Sequence, residues 1–307
     1  MSGPVSYRTA SLAGALVLLA VGVSACSLLS ATKPKARANQ YYVSLGDSYA
    51  AGYQPTGADV GQTVGHTTTN GFAYQLPKLA ASRGYNLTLV NFGCAAATTT
   101  SILHALGCWG ELGPGAPTYG GQSQATAADQ FLSQHQGRIG LVTVSIGMND
   151  VTNCTSSSDL ISCVAAATRT IKTNLAVLLP ALRAAAGPAV PIIGITYPDV
   201  ILGDYLSTNT ATKSLATLSV NAFQSLINPA LQQQYQAIGA TFVDVTSATG
   251  AYTPFTQTTS LSGYGTVPIA VARVCELTFF CQYSDIHPRT VGYTEIATLI
   301  AAALPKR

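Results

Sequence analysis

Residues 41–52 read YYVSLGDSYAAG. Tyr41, Tyr42, Val43 and Leu45 surround one serine, as a buried strand would. The run breaks at Gly46, and Ser48 follows among small residues. Gly-Asp-Ser is ordinary turn chemistry. It is also how a strand could lift one hydroxyl to the end of a sheet. Four further short apolar runs, 87–92, 139–146, 190–196 and 241–245, have the same β-branched character. Strands covered on both faces of a parallel sheet read this way. Helical stretches separate them at about 71–83, 124–136, 158–186 and 208–238, and a last one covers 290–303. Strand alternating with helix predicts a doubly wound α/β sheet of five parallel strands.

Composition narrows the class. Of 307 residues, 48% are hydrophobic and 9% charged, enough apolar material for one sizeable core. The formal charge of +3 comes from the N-terminus, where Arg8, Lys33, Lys35 and Arg37 precede residue 40 and no acid does. From residue 40 onward, 11 basic residues face 12 acidic ones. A near-neutral body lacks the basic footprint of a nucleic-acid partner. No phosphate-binding glycine signature follows the first strand, so no nucleotide cofactor is expected.

The first 25 residues read as a targeting segment. Arg8 precedes an apolar run from Ala10 to Val23 that ends in Val23-Ser24-Ala25-Cys26. The run is short of the ~20 residues a membrane span needs. It fits a secretory signal. Its ending resembles a bacterial lipobox, which implies cleavage after Ala25 and lipidation of Cys26. A plain signal peptide cut near Ala25 is the alternative. Residues 26–39 then read as a polar tether, and 40–307 as the folded domain.

Setting Cys26 aside leaves Cys94, Cys108, Cys154, Cys163, Cys275 and Cys281. Six cysteines allow many pairings. Each couple lies within one irregular segment, so 94–108, 154–163 and 275–281 are the expected bridges. None has the C-x-x-C spacing of a zinc site, and no metal is expected.

Ligands of open α/β sheets sit at the carboxyl ends of the strands. Gly46-Asp47-Ser48 follows the first strand and Asn91-Phe92-Gly93-Cys94 the second. Gly147-Met148-Asn149-Asp150 follows the third, and Asp285-Ile286-His287 precedes the last helix. A hydroxyl, a glycine N–H, a carboxamide and an imidazole are the kit of acyl transfer.

These blocks, in this order, resemble the SGNH (GDSL) hydrolase family over nearly all of 40–303, and GDSYAAG is similar to its secreted actinobacterial lipases and esterases. The resemblance implies a flavodoxin-like three-layer α/β/α sandwich and an exported serine esterase or lipase without cofactor. It casts Ser48 as nucleophile and His287 as base. It places Ser48, Gly93 and Asn149 around the oxyanion. One departure concerns the orienting acid. The family places an aspartate three residues before its histidine, where this chain has Ser284, and Asp285 stands two before. Asp285 is read as the orienter; a backbone carbonyl could take that part, with Asp285 structural or paired to Arg289. Met148 also replaces a glycine common among relatives.

The remaining candidates read as structural. His66, His104 and His135 are expected at the surface. Asp47 and Asp150 are expected to cap turns or helix starts. Trp109 and the tyrosines of 252–283 could line an acyl pocket or simply pack loops. A solute-binding lipoprotein and a catalytically silent relative are the competing functions. The expected partners are an ester substrate and, through the lipid, the outer face of the cell membrane, with the protein monomeric.

Overall fold

The computed structural model describes residues 38–59 and 62–307. The signal segment, Cys26 and most of the tether lie outside the described residues. Five strands form the central sheet: β1 (Gln40–Gly46), β2 (Leu87–Asn91), β3 (Ile139–Ser145), β4 (Ile192–Ile195) and β5 (Thr241–Val243). They lie in the order β2-β1-β3-β4-β5, and every pairing is parallel. This is the flavodoxin-like order, whose ligand crevice opens where the chain reverses direction, between β1 and β3.

The strands are apolar along their length because both faces are covered. All seven residues of β3 are buried, as are all four of β4. Helices Phe72–Ala80 and Thr290–Ala303 pack together on one side. Gln124–Gln134, Leu160–Ala186 and Asn228–Ala237 cover the other. The 27-residue helix Leu160–Ala186 turns Ile171, Leu175, Leu178, Leu179 and Leu182 inward, three- and four-residue spacings that keep one stripe on the sheet.

Two regions carry structure that the sequence does not mark. The stretch 208–238 is helical from Thr210 to Ala237, with a change of winding inside it. It runs as Thr210–Ala222, a π-helical turn over Phe223–Ile227, and Asn228–Ala237. The stretch 247–285 lies between the last strand of the sheet and the last helix. It holds a hairpin, Thr258–Leu261 with Gly265–Pro268, and a helix, Ile269–Leu277. That helix joins Leu202, Ala216 and Ala251 in a small second core through Ala270 and Val274. A further hairpin, Tyr53–Asp59 with Gln62–Thr67, follows Ser48.

Candidate active site

β1 ends on Gly46 because nothing larger fits. Its φ is 140°, and a Cβ there would lie 1.9 Å from the Ser145 carbonyl on β3. Gln124 clamps the same residue. The Gly46 N–H donates to Gln124 Oε1 at 2.7 Å, and Gln124 Nε2 donates to the Gly46 carbonyl at 3.0 Å.

Asp47 then caps the short helix Ser48–Ala51, accepting the Tyr49 N–H at 2.9 Å and the Tyr197 hydroxyl at 2.5 Å. Burial pushes the Asp47 carboxyl up to about 7 despite these two bonds. As the first residue of a helix, Ser48 has no acceptor for its N–H within that helix.

Ser48 Oγ lies 2.8 Å from His287 Nε2. His287 Nδ1 lies 2.8 Å from Asp285 Oδ1, and the His287 N–H donates to the same oxygen at 2.9 Å. A two-residue spacing suffices because Asp285 closes an Asx-type turn on His287. Ser284 sets up that turn in the left-handed region, at φ 54°. Arg289 is engaged elsewhere. Its Nε donates to the Thr278 carbonyl, its Nη2 to Gln282 Oε1, and its guanidinium sits over Phe279.

Three side chains that the sequence did not single out hold this segment. The Tyr49 hydroxyl donates to the Ile286 carbonyl at 2.6 Å. Gln54 Nε2 donates to the Pro288 carbonyl at 3.0 Å. The Tyr53 ring lies 4.4 Å from the imidazole, centre to centre. Tyr49 and Tyr53 stand beside Ser48 in the chain, and that adjacency was the only available signal.

Gly93 follows β2 and packs against the Ser48 helix. Its N–H donates to Asn91 Oδ1 at 2.9 Å. Asn91 Nδ2 in turn donates to the Ala50 carbonyl at 2.8 Å. The glycine is there for close approach, since a Cβ would lie 2.6 Å from the Ala51 nitrogen. The loop then turns at Cys94–Ala97, closed by the Ala97 N–H on the Cys94 carbonyl, with Ala96 left-handed at φ 64°. Asn149 reaches this turn, where its Nδ2 donates to the Ala97 carbonyl at 2.8 Å. Asp150 accepts the N–H and hydroxyl of Thr99 at 2.8 and 2.6 Å, so it ties β3's loop to the start of a neighbouring helix.

Disulfides join Cys94 to Cys108, Cys154 to Cys163 and Cys275 to Cys281. His66 and His104 are exposed, while His135 is half-buried, stacked on Phe131 and edge-on to Tyr41. Trp109 is 83% exposed.

A serine, an imidazole and a carboxylate linked in series at the switch point of a parallel sheet can activate a hydroxyl for attack on a carbonyl. The chain is a serine carboxylic ester hydrolase. It belongs to the GDSL-like lipase/acylhydrolase family, whose model matches residues 44–294. An extracellular lipase from Streptomyces rimosus superposes with a TM-score of 0.50 at 19% identity, covering 86% of this chain and all of that one. A lipase from a goat rumen metagenome gives 0.49 at 15% identity over 87% and 99% of the two chains. An acetyl-xylooligosaccharide esterase from Geobacillus gives 0.44 at 14% identity over 86% and 93%. At such identity the first likeness speaks for the fold alone. No curated protein sequence matches the chain.

Proposed function

We propose that this protein is an exported, membrane-anchored esterase that works through an acyl-enzyme on Ser48. The continuous line from Ser48 Oγ through His287 to Asp285 Oδ1 carries the reading. With Nδ1–H donating to Asp285, Nε2 is left as acceptor. Ser48 Oγ attacks the ester carbonyl carbon and its proton passes to Nε2. The tetrahedral intermediate then expels the alcohol, which leaves with that proton. Water repeats the sequence on the acyl-Ser48 ester and releases the acid.

The Ser48 N–H and the second N–H of the Asn149 amide are the donors proposed for the oxyanion. Losing one such donor costs roughly 2.7–4 kcal/mol of transition-state stabilisation in serine hydrolases. Gly93 supports the site by letting β2's loop close on the Ser48 helix. In this reading residues 1–25 are the export signal, Cys26 carries the lipid, 26–39 form the tether and 40–307 are the hydrolase. The enzyme acts as a monomer without metal or cofactor.

The test is a fluorophosphonate probe on the full chain beside Ser48→Ala. Labelling of the wild type alone is the expected result. A folded wild type that stays unlabelled overturns the esterase reading. Mass analysis of the mature N-terminus checks the anchor, for which a lipid mass on Cys26 is expected.

A further inference from the structure

An apolar groove of about 420 Å³ runs between the start of helix Leu160–Ala186 and the arm formed by Thr210–Ala222 and the π-helical turn. Its volume lies in the ~300–1,000 Å³ range of small-molecule sites. Met148, Val151, Ile161, Ile201, Leu218 and Leu226 are among its lining. Few hydroxyls line it, and two of these are already committed. The Ser219 hydroxyl donates to Asp199 Oδ2 at 2.8 Å, and the Thr152 hydroxyl to the Asn149 carbonyl at 3.4 Å. Asn221 and Ser225 add the remaining polar side chains, and among the described residues no charged one lines the groove.

Two of the groove's walls come from segments that begin at the catalytic edge. Met148 is the residue before Asn149. Ile201 lies four residues past Tyr197, whose hydroxyl donates to the carboxylate of Asp47, the residue before Ser48. The two wall segments follow β3 and β4 at the same edge of the sheet that carries Ser48 after β1.

The outer wall has an unusual backbone. In the π-helical turn the Asn228 N–H reaches back five residues to the Phe223 carbonyl. Such widened turns recur at functional sites. This one turns Phe223, Leu226 and Ile227 toward the groove. The lips keep large apolar side chains in water, with Ile161 70%, Leu218 43% and Leu226 42% exposed. Exposed apolar surface gathered along one groove marks a binding site.

We propose that this groove holds the acyl chain of the substrate, so that the ester cleaved at Ser48 carries a medium or long aliphatic acid. The proposal rests on the esterase reading and deepens it. The carbonyl sits between Ser48 and Asn149, and the chain leaves past Met148 along the wall of Val151 and Ile201. Met148, flexible and apolar, stands at the entrance, where the first methylenes pass.

The test is the full chain assayed on p-nitrophenyl esters from acetate to decanoate, with Leu218→Asp on one lip and Ser225→Trp as a plug. Both positions are exposed, and thermal unfolding checks that each variant folds. In the wild type each added methylene should raise kcat/KM, by up to about fourfold if fully buried. In the variants the ratio of decanoate to acetate kcat/KM should fall by about tenfold or more. Variants that keep the wild-type ratio overturn the groove alone. A wild type that the fluorophosphonate fails to label overturns the esterase reading beneath it.

Discussion

Asp285 Oδ1 receives two donors from one residue, the Nδ1 and the backbone N–H of His287, at 2.8 and 2.9 Å. One carboxylate oxygen therefore fixes both the ring and the chain that carries it. Asp285→Ala removes both anchors at once. The expected result is a loss on the order of 10⁴ in kcat, the scale seen when an orienting acid is removed from serine hydrolases. Steady-state kinetics beside Ser48→Ala checks it. A loss under about tenfold would assign the orienting role to another group.

Tyr49→Phe keeps the ring against Tyr197 and Tyr293 but removes the hydroxyl that donates to the Ile286 carbonyl. Leaving that carbonyl without its donor should cost about 1–3 kcal/mol of stability. The loop bearing His287 would also be less firmly held, so kcat should fall more than KM rises. Denaturant unfolding and ester kinetics on the same preparation check both parts.

Ala96 holds a left-handed backbone at φ 64° in the turn that Asn149 grips. A left-handed alanine costs roughly 1–2 kcal/mol that a glycine does not. Ala96→Gly should therefore raise the unfolding midpoint, offset in part by the greater freedom of glycine in the unfolded chain. Thermal denaturation is the measurement, and a lowered midpoint would count against strain at this turn.

Asp199 is buried, and burial pushes its carboxyl up to about 7. Its ordinary value is 3.8, so between about pH 4 and 7 the native state keeps a proton that the unfolded chain has lost. Stability from this group therefore falls as pH rises through that window. Asp199→Asn removes the titration, so its midpoint relative to wild type should improve from pH 5 to pH 8. Unfolding curves at the two pH values check the sign.

The sheet was legible because its strands are buried on both faces and read as unbroken apolar runs. The reading 139–146 became Ile139–Ser145, and 241–245 became Thr241–Val243. The hairpin Tyr53–Thr67 escaped notice because it is rich in Thr, Gly and Gln and carries Pro55, with no alternating apolar face. The break at 223–227 escaped because a π-turn has no composition of its own. Its residues, FQSLI, suit an α-helix equally well. The family and enzyme class were readable in the blocks around Ser48, Asn149 and His287. The Asn91 bridge between Gly93 and Ala50 was not, because a sequence does not say which side chain a glycine N–H meets.

The three disulfides share a position in the fold. Cys94 follows Gly93, Cys154 follows the helix that starts at Met148, and Cys281 precedes the turn at Ser284. None crosslinks two strands of the sheet. Each bridge closes a short loop beside a reacting group, so the constraint it adds falls on those loops. Oxidation therefore staples the rim of the catalytic edge and leaves the strands beneath it uncrosslinked.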